Sequence, residues 1–232
     1  MNQGTPINTG FHARLLAATE QARNELLSLP ILHAAVAGRI SRDAYGDFLV
    51  QAYHHVRHTT PLLMACGARL PARLEWLRNA AAEYIKEELG HQEWILDDLR
   101  AVGRERAAVE AAGPSPATEL MVSYAYDTIA RGNPAGFFGM VLVLEGTSVT
   151  LATRAADVIE SSLGLPRTAF SYLRSHGDLD IEHTATYATL MDRLDDPRDQ
   201  QAVIHAARIF YRLYAAIFAD VGAAPGALAV AA

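Results

Sequence analysis

The chain has 232 residues, 50% of them hydrophobic, and Asp+Glu 26 against Lys+Arg 20 give a formal net charge of -6. That length and balance suit one globular domain with a real core and exclude a basic nucleic-acid footprint. The only cysteine is Cys66, which excludes an internal disulfide and fits a reducing cytoplasm.

In chain order almost everything reads as helix. The opening MNQGTPINTG is polar and lacks the basic and apolar regions of a signal peptide. An amphipathic helix is expected over about 9–28, ended by Pro30, then a short turn of helix over about 31–37, stopped by Gly38. Ser41 caps a helix over about 42–69 that Pro61 should kink or split. Another spans about 72–101, and a short one about 104–111. GPSP (113–116) marks a loop before a helix over about 116–131. Asn133-Pro134 signals a start, and that helix should run to about 163. Its apolar run FFGMVLVLEGTSVTLA (137–152) is broken by Glu145 and reads as too short to span a bilayer. Pro166 opens a helix to about 194 with a bend at Gly177, and Asp196-Pro197 opens the last, to about 221. The expectation is a single all-α domain over 1–222, a bundle of about seven main helices, with a flexible tail over 223–232.

Three features carry chemistry. In HGDLDIEH (176–183), His176, Asp180 and His183 fall within an arc of roughly 60° on a helix, while Asp178 and Glu182 point elsewhere. A solvated face with two surface histidines would give the same pattern. In EELGH (87–91), Glu88 and His91 have the Glu-x-x-His spacing by which carboxylate-bridged di-iron bundles converge ligands. Glu87 is also one turn from His91, so the acid is ambiguous. Glu145 sits in the most apolar helix, where an unpaired carboxylate costs several kcal/mol or becomes neutral. Its partner is an arginine or a metal, and Gly146 beside it leaves room for close approach. Mixed imidazole and carboxylate donors suit iron or manganese, with zinc an alternative, and their number suits two metals.

The order of these motifs resembles the heme-oxygenase-like di-iron oxidases, which share their all-α fold with TenA thiaminases and PqqC-type quinone synthases. EELGH (87–91), the lone Glu145 in VLEGTS and the H-x-x-x-D-x-x-H of 176–183 carry it, and LPILHAAVAGRISRDAYGDFLVQAYHHV (29–56) is similar to the opening of that superfamily. The resemblance implies that His91, Glu145, His176, Asp180 and His183 are iron ligands. Some members place the sixth ligand two turns before the first histidine, here Tyr84; others place it one turn before, here Glu88, and Glu88 is the choice. The resemblance implies two Fe(II) per chain, one site weak or empty, with O2 as co-substrate. It further implies a small substrate such as an amino acid or fatty acid, in a biosynthetic pathway. An external electron donor and a homodimer are compatible with it. The alternatives are a metal-free TenA/PqqC-like enzyme and a non-catalytic metal-binding protein on the same scaffold.

Other residues weigh less. In YHHVRH (53–58), His54 and His58 are one turn apart and could face a substrate, while His55 points elsewhere; a polar edge on a helix lining the bundle is the preferred reading. Tyr126, Tyr172 and Tyr187 read first as core, as does Cys66, which precedes the first metal-like motif, whereas a thiaminase needs its cysteine on a later helix.

Overall fold

The computed structural model describes residues 10–224 and 226–228, without the side chains of residues 176–183. Eleven α-helices follow one another among the described residues. The first half holds α1 (Phe11–Leu27), α2 (Pro30–Ala35), α3 (Arg42–Val56), α4 (Thr59–Arg69), α5 (Glu75–Glu88) and α6 (His91–Ala101). The second holds α7 (Arg106–Ala112), α8 (Pro116–Ala130), α9 (Phe138–Leu163), α10 (Ser171–Asp192) and α11 (Pro197–Ala223). The long helices α1, α3, α5, α8, α9, α10 and α11 are the main ones the sequence predicts. The additional elements arise where two long expected helices divide.

Starts follow the capping chemistry. Ser41 accepts from the Ala44 N–H at 3.1 Å, Ser115 from the Thr118 N–H at 3.3 Å and Asp196 from the Arg198 N–H at 2.8 Å. The division of 42–69 does not fall at Pro61. It falls at Arg57–His58, which puts Pro61 in the first turn of α4, where its missing N–H has no intrahelical acceptor to lose. The expected helix over 72–101 becomes a 3₁₀ turn at Ala72–Leu74, then α5, then α6, with Gly90 at φ 90° between the last two. α10 runs unbroken through position 177.

α9 and α11 form the centre. α9 packs on α10 and α11, and α11 also packs on α1 and α8. Gly139 explains how closely α9 approaches α11. A Cβ there would stand 2.6 Å from the Ala207 nitrogen and 2.8 Å from the Val203 oxygen. Arg73, Asn133 and Asp199 tie the ends together: Asp199 is fully buried and accepts from Arg73 at 2.5 and 3.0 Å and from Asn133 at 2.7 Å.

The helix through Glu145 corrects one reading. It extends past residue 152, so Pro134–Leu163 and Pro197–Ala223 are both long and apolar enough to cross a membrane by length and composition. In this fold each is a core helix packed against the other. The Ser41 N–H donates to the Ala227 carbonyl at 2.9 Å and Ile40 bridges Leu228, so residues 226–228 dock on the turn before α3.

Candidate metal centre and cavity

The site begins at the break between α5 and α6. An L-residue disfavours the φ of Gly90, so glycine permits the chain to leave α5 and re-enter a helix within two residues. Leu89 is thrown outward, 63% exposed. Glu88 is thus the last residue of α5 and His91 the first of α6, straddling a turn instead of sharing one helical face. They still meet: Glu88 Oε2 lies 3.0 Å from His91 Nδ1, with both side chains largely buried. Trp94 stacks on the His91 ring at 4.1 Å. Glu87 is exposed, so the acid beside His91 is Glu88.

Glu88 faces a cavity of about 150 Å³ that Tyr84, one turn earlier, and Glu145 of α9 also line. Tyr84 is buried, and Glu145 is half-buried. A Cβ on Gly146 would meet nothing within 4 Å, so the room expected there is open space. Behind this end lies Tyr187, whose hydroxyl donates to the Phe138 carbonyl at 2.8 Å. Burial first, then the nearby Glu145 and Tyr84, raise its phenol well above the ordinary range, so it stays protonated.

α10 enters this neighbourhood from its N-terminus, where Tyr172 and Leu173 line the cavity. Its first backbone N–H groups, of Ser171 and Tyr172, donate to Asp98 of α6 at 2.9 and 2.8 Å. Asp98 is fully buried. Burial pushes its carboxyl up to about 6, against the opposing pull of those N–H groups. The expected ligands His176, Asp180 and His183 sit on the next turns, and their side chains lie outside the described residues.

Among the described residues no three His, Cys, Asp or Glu side chains gather into a metal-binding group. The pair that is described fits one side of such a site. With metal–ligand bonds of about 2.1 Å at right angles, two donors stand about 3.0 Å apart, as Glu88 and His91 do. Carboxylate plus imidazole, with no thiolate nearby, is also the donor chemistry iron accepts.

The YHHVRH run is arranged otherwise than expected. His55, not His54 or His58, lines the cavity, and it packs edge-on against Tyr214 at 6.0 Å. His54 is buried with its Nε2 unsatisfied, and burial lowers its pKa. His58 Nδ1 lies 3.1 Å from the Tyr126 hydroxyl, and burial, then Arg57 and His54, lower its pKa too. The missed signal was periodicity: His55 stands seven residues after Phe48 and ten after Tyr45, both of which line the cavity. Cys66 is core. Its thiol contacts the Pro134 carbonyl at 3.3 Å and burial pushes its pKa up to about 12, which leaves it unreactive.

The all-helical order and packing of these elements are those of a heme-oxygenase-like bundle. The chain belongs to the family of iron-containing redox enzymes, whose sequence model matches residues 46–215. No curated protein matches it. Among solved structures it is similar to a domain of unknown function with a heme oxygenase-like fold from Shewanella denitrificans, at 22% identity and TM-score 0.80, covering 94% of this chain and 93% of that one. A TenA homologue from Pseudomonas syringae matches at 11% identity and TM-score 0.79, over 95% and 98% of the chains. A heme oxygenase from Leptospira interrogans matches at 16% and 0.73, over 91% and 100%. At these identities the likeness shows the fold.

Proposed function

We propose that the protein is a non-heme di-iron, O2-activating oxidase or oxygenase that acts on a small substrate in a biosynthetic pathway. The observation that carries this reading is the buried Glu88–His91 contact of 3.0 Å, opening on an apolar cavity that Glu145 also lines. Membership of an iron-containing redox family supports it. So does helical register: on an unbroken α10, positions 176, 180 and 183 fall in step with Leu173, which lines the cavity. In this reading Glu88, His91, Glu145, His176, Asp180 and His183 hold the metals, and the protein is soluble and cytoplasmic.

Two Fe(II) ions held there would supply the reduction of O2, chemistry that amino-acid side chains do not perform. The chain's own contributions are positioning and exclusion. Glu88 and Glu145 bring negative charge that offsets cationic charge in a low-dielectric site. Trp94 fixes the plane of the His91 imidazole by stacking. Tyr84 brings a phenolic proton to the polar end of the cavity. The aliphatic and aromatic lining keeps water from the reacting end.

Anaerobic titration with Fe(II), followed by exposure to O2, tests the reading. It expects about two irons per chain and O2 consumption. In His183→Ala, iron and O2 consumption fall together while the helical circular dichroism persists. Failure of the wild type to take up iron would turn the reading to a metal-free enzyme. Full loading of His183→Ala would break the assignment of the α10 residues.

A further inference from the structure

YHHVRH leaves two histidines that the cavity does not use. His55 lines it, and His54 and His58 do not. These two stand where the end of α3 meets α7 and α8. The backbone of Val109, in α7, lies beside the His54 ring, and the Tyr126 hydroxyl, in α8, lies 3.1 Å from His58 Nδ1.

The backbone keeps both rings on one side. α3 ends at Val56, yet Arg57 (φ -57°, ψ -15°) and His58 (φ -95°, ψ -6°) continue its winding. The Arg57 N–H donates to the Tyr53 carbonyl at 3.1 Å, and the His58 N–H to the His55 carbonyl at 3.0 Å. His58 therefore stands one turn beyond His54. Cβ atoms so related are about 5–6 Å apart, the spacing from which two imidazoles on one helix converge on a zinc ion.

The rings differ in access. His54 is 4% exposed, and its Nε2 has neither solvent nor a hydrogen-bond partner. A buried polar atom left so bears its full desolvation cost, and it marks a place where a partner belongs. His58 and Tyr126 are half-buried, so the site opens on their side. Burial is the main cause that lowers both histidine pKa values; the Val109 backbone opposes it at His54, and Arg57 adds to it at both. The rings are therefore neutral, with no proton for an ion to displace. With His58 Nδ1–H donating to the Tyr126 oxygen, Nε2 keeps its lone pair, as in imidazoles that bind metals.

No third His, Cys, Asp or Glu joins them among the described residues. Glu110, next to Val109, is taken by Arg106 at 3.0 Å and Tyr53 at 3.4 Å. The donors are thus two neutral imidazoles, which suit zinc, nickel or copper and not magnesium or calcium.

We propose that His54 and His58 form a second cation site, separate from the α5–α6 centre, which takes one divalent ion of the zinc class through two imidazole nitrogens, with water completing its shell. The ion fixes the corner at which α3 passes into α4. The site stands whether or not iron binds at Glu88 and His91.

Equilibrium dialysis of the full chain against zinc chloride, with magnesium chloride in excess, tests the proposal. The wild type should hold about one zinc per chain more than His58→Gln. His54→Gln should show the same deficit; should that buried variant fail to fold, the half-buried His58 carries the test. Tyr126→Phe should bind the ion about tenfold more weakly, because it frees the His58 ring. Arg57→Gln should bind it about twofold more tightly, because a neighbouring cation is gone. His33→Gln, which removes an exposed histidine of α2, should change nothing. On a His183→Ala background the His58→Gln deficit should persist, which separates this site from the proposed iron ligands. Equal zinc content in the wild type and folded His58→Gln would overturn the proposal. So would an equal loss in His33→Gln, the mark of adventitious binding to any histidine.

Discussion

Asp98→Asn is the perturbation that most directly probes how α10 is held. Asp98 projects from α6, is fully buried, and receives the first two N–H groups of α10. Burial raises its pKa from the ordinary 3.8 to about 6 despite those bonds. A group whose folded pKa lies above its unfolded value favours the fold most when protonated. Its contribution is therefore complete below about pH 3.8 and is lost as pH rises through about 6. The gap is worth about 3 kcal/mol in all, at 1.36 kcal/mol per pH unit. Between about pH 4.5 and pH 7 the wild type should lose roughly 2 kcal/mol through this one residue. Asp196, held near 2 chiefly by Arg198, titrates below that window and does not distort it. Urea unfolding at both pH values measures the loss. Asp98→Asn cannot ionise, so its stability should change by about 2 kcal/mol less across the same interval. Its absolute stability is a separate matter, since an amide accepts the two N–H groups less well than a carboxylate. If wild type and variant follow parallel pH profiles, the carboxyl is not titrating in that window and the argument fails.

Three further predictions concern separate parts of the molecule. Asp199→Ala leaves the Asn133 amide and the Arg73 guanidinium without their buried acceptor. A loss of about 2–3 kcal/mol is expected in urea unfolding, below the full value for a buried pair because the Arg73 side chain is 46% exposed. Gly139→Ala drives a methyl into the α11 backbone and should cost about 1–3 kcal/mol, whereas Gly146→Ala, with open space around it, should cost nothing or stabilise; a melting comparison decides. Glu88→Gln should weaken Fe(II) binding while Glu87→Gln leaves it unchanged; the reverse order in an anaerobic titration would reassign the acid.

The fold was readable because its helices carry strong local signals. Ser41, Ser115 and Asp196 cap where capping chemistry places them, and Gly164 ends α9 with φ 61°. The breaks within long helices were less readable. Apolar periodicity runs on through 72–101, and a single glycine inside a helix is usually tolerated, so nothing local says that Gly90 adopts φ 90°. Pro61 misled in the other direction: a proline serves a first turn as well as it breaks an interior, and only packing chooses between these.

The candidate site divides along the same line. Glu88 and Glu145 could be picked from residue type and surroundings, and the structure brings both to one cavity. His55 could not be picked from the cluster it stands in. Among three neighbouring histidines, the one on the apolar stripe of α3 reaches the cavity, and the stripe matters only once α9 and α11 are known to face it. The cavity itself was invisible, because its walls come from helices far apart in the chain, such as α2, α3, α9 and α11.

α6 joins these observations mechanically. It starts at His91, the imidazole beside Glu88, and seven residues later, about 10 Å along the axis, it presents Asp98 to the start of α10. One short helix therefore sets both the position of the first candidate ligand and the origin of the helix that carries three others. Its own N-terminus is set by the Gly90 turn, which gives α6 a direction independent of α5. A continuous helix from 75 to 101 would keep Glu88 and His91 one turn apart but would carry Asp98 along the axis of α5. The break thus reconciles two demands that one straight helix does not meet together: contact with Glu88 at one end and capping of α10 at the other.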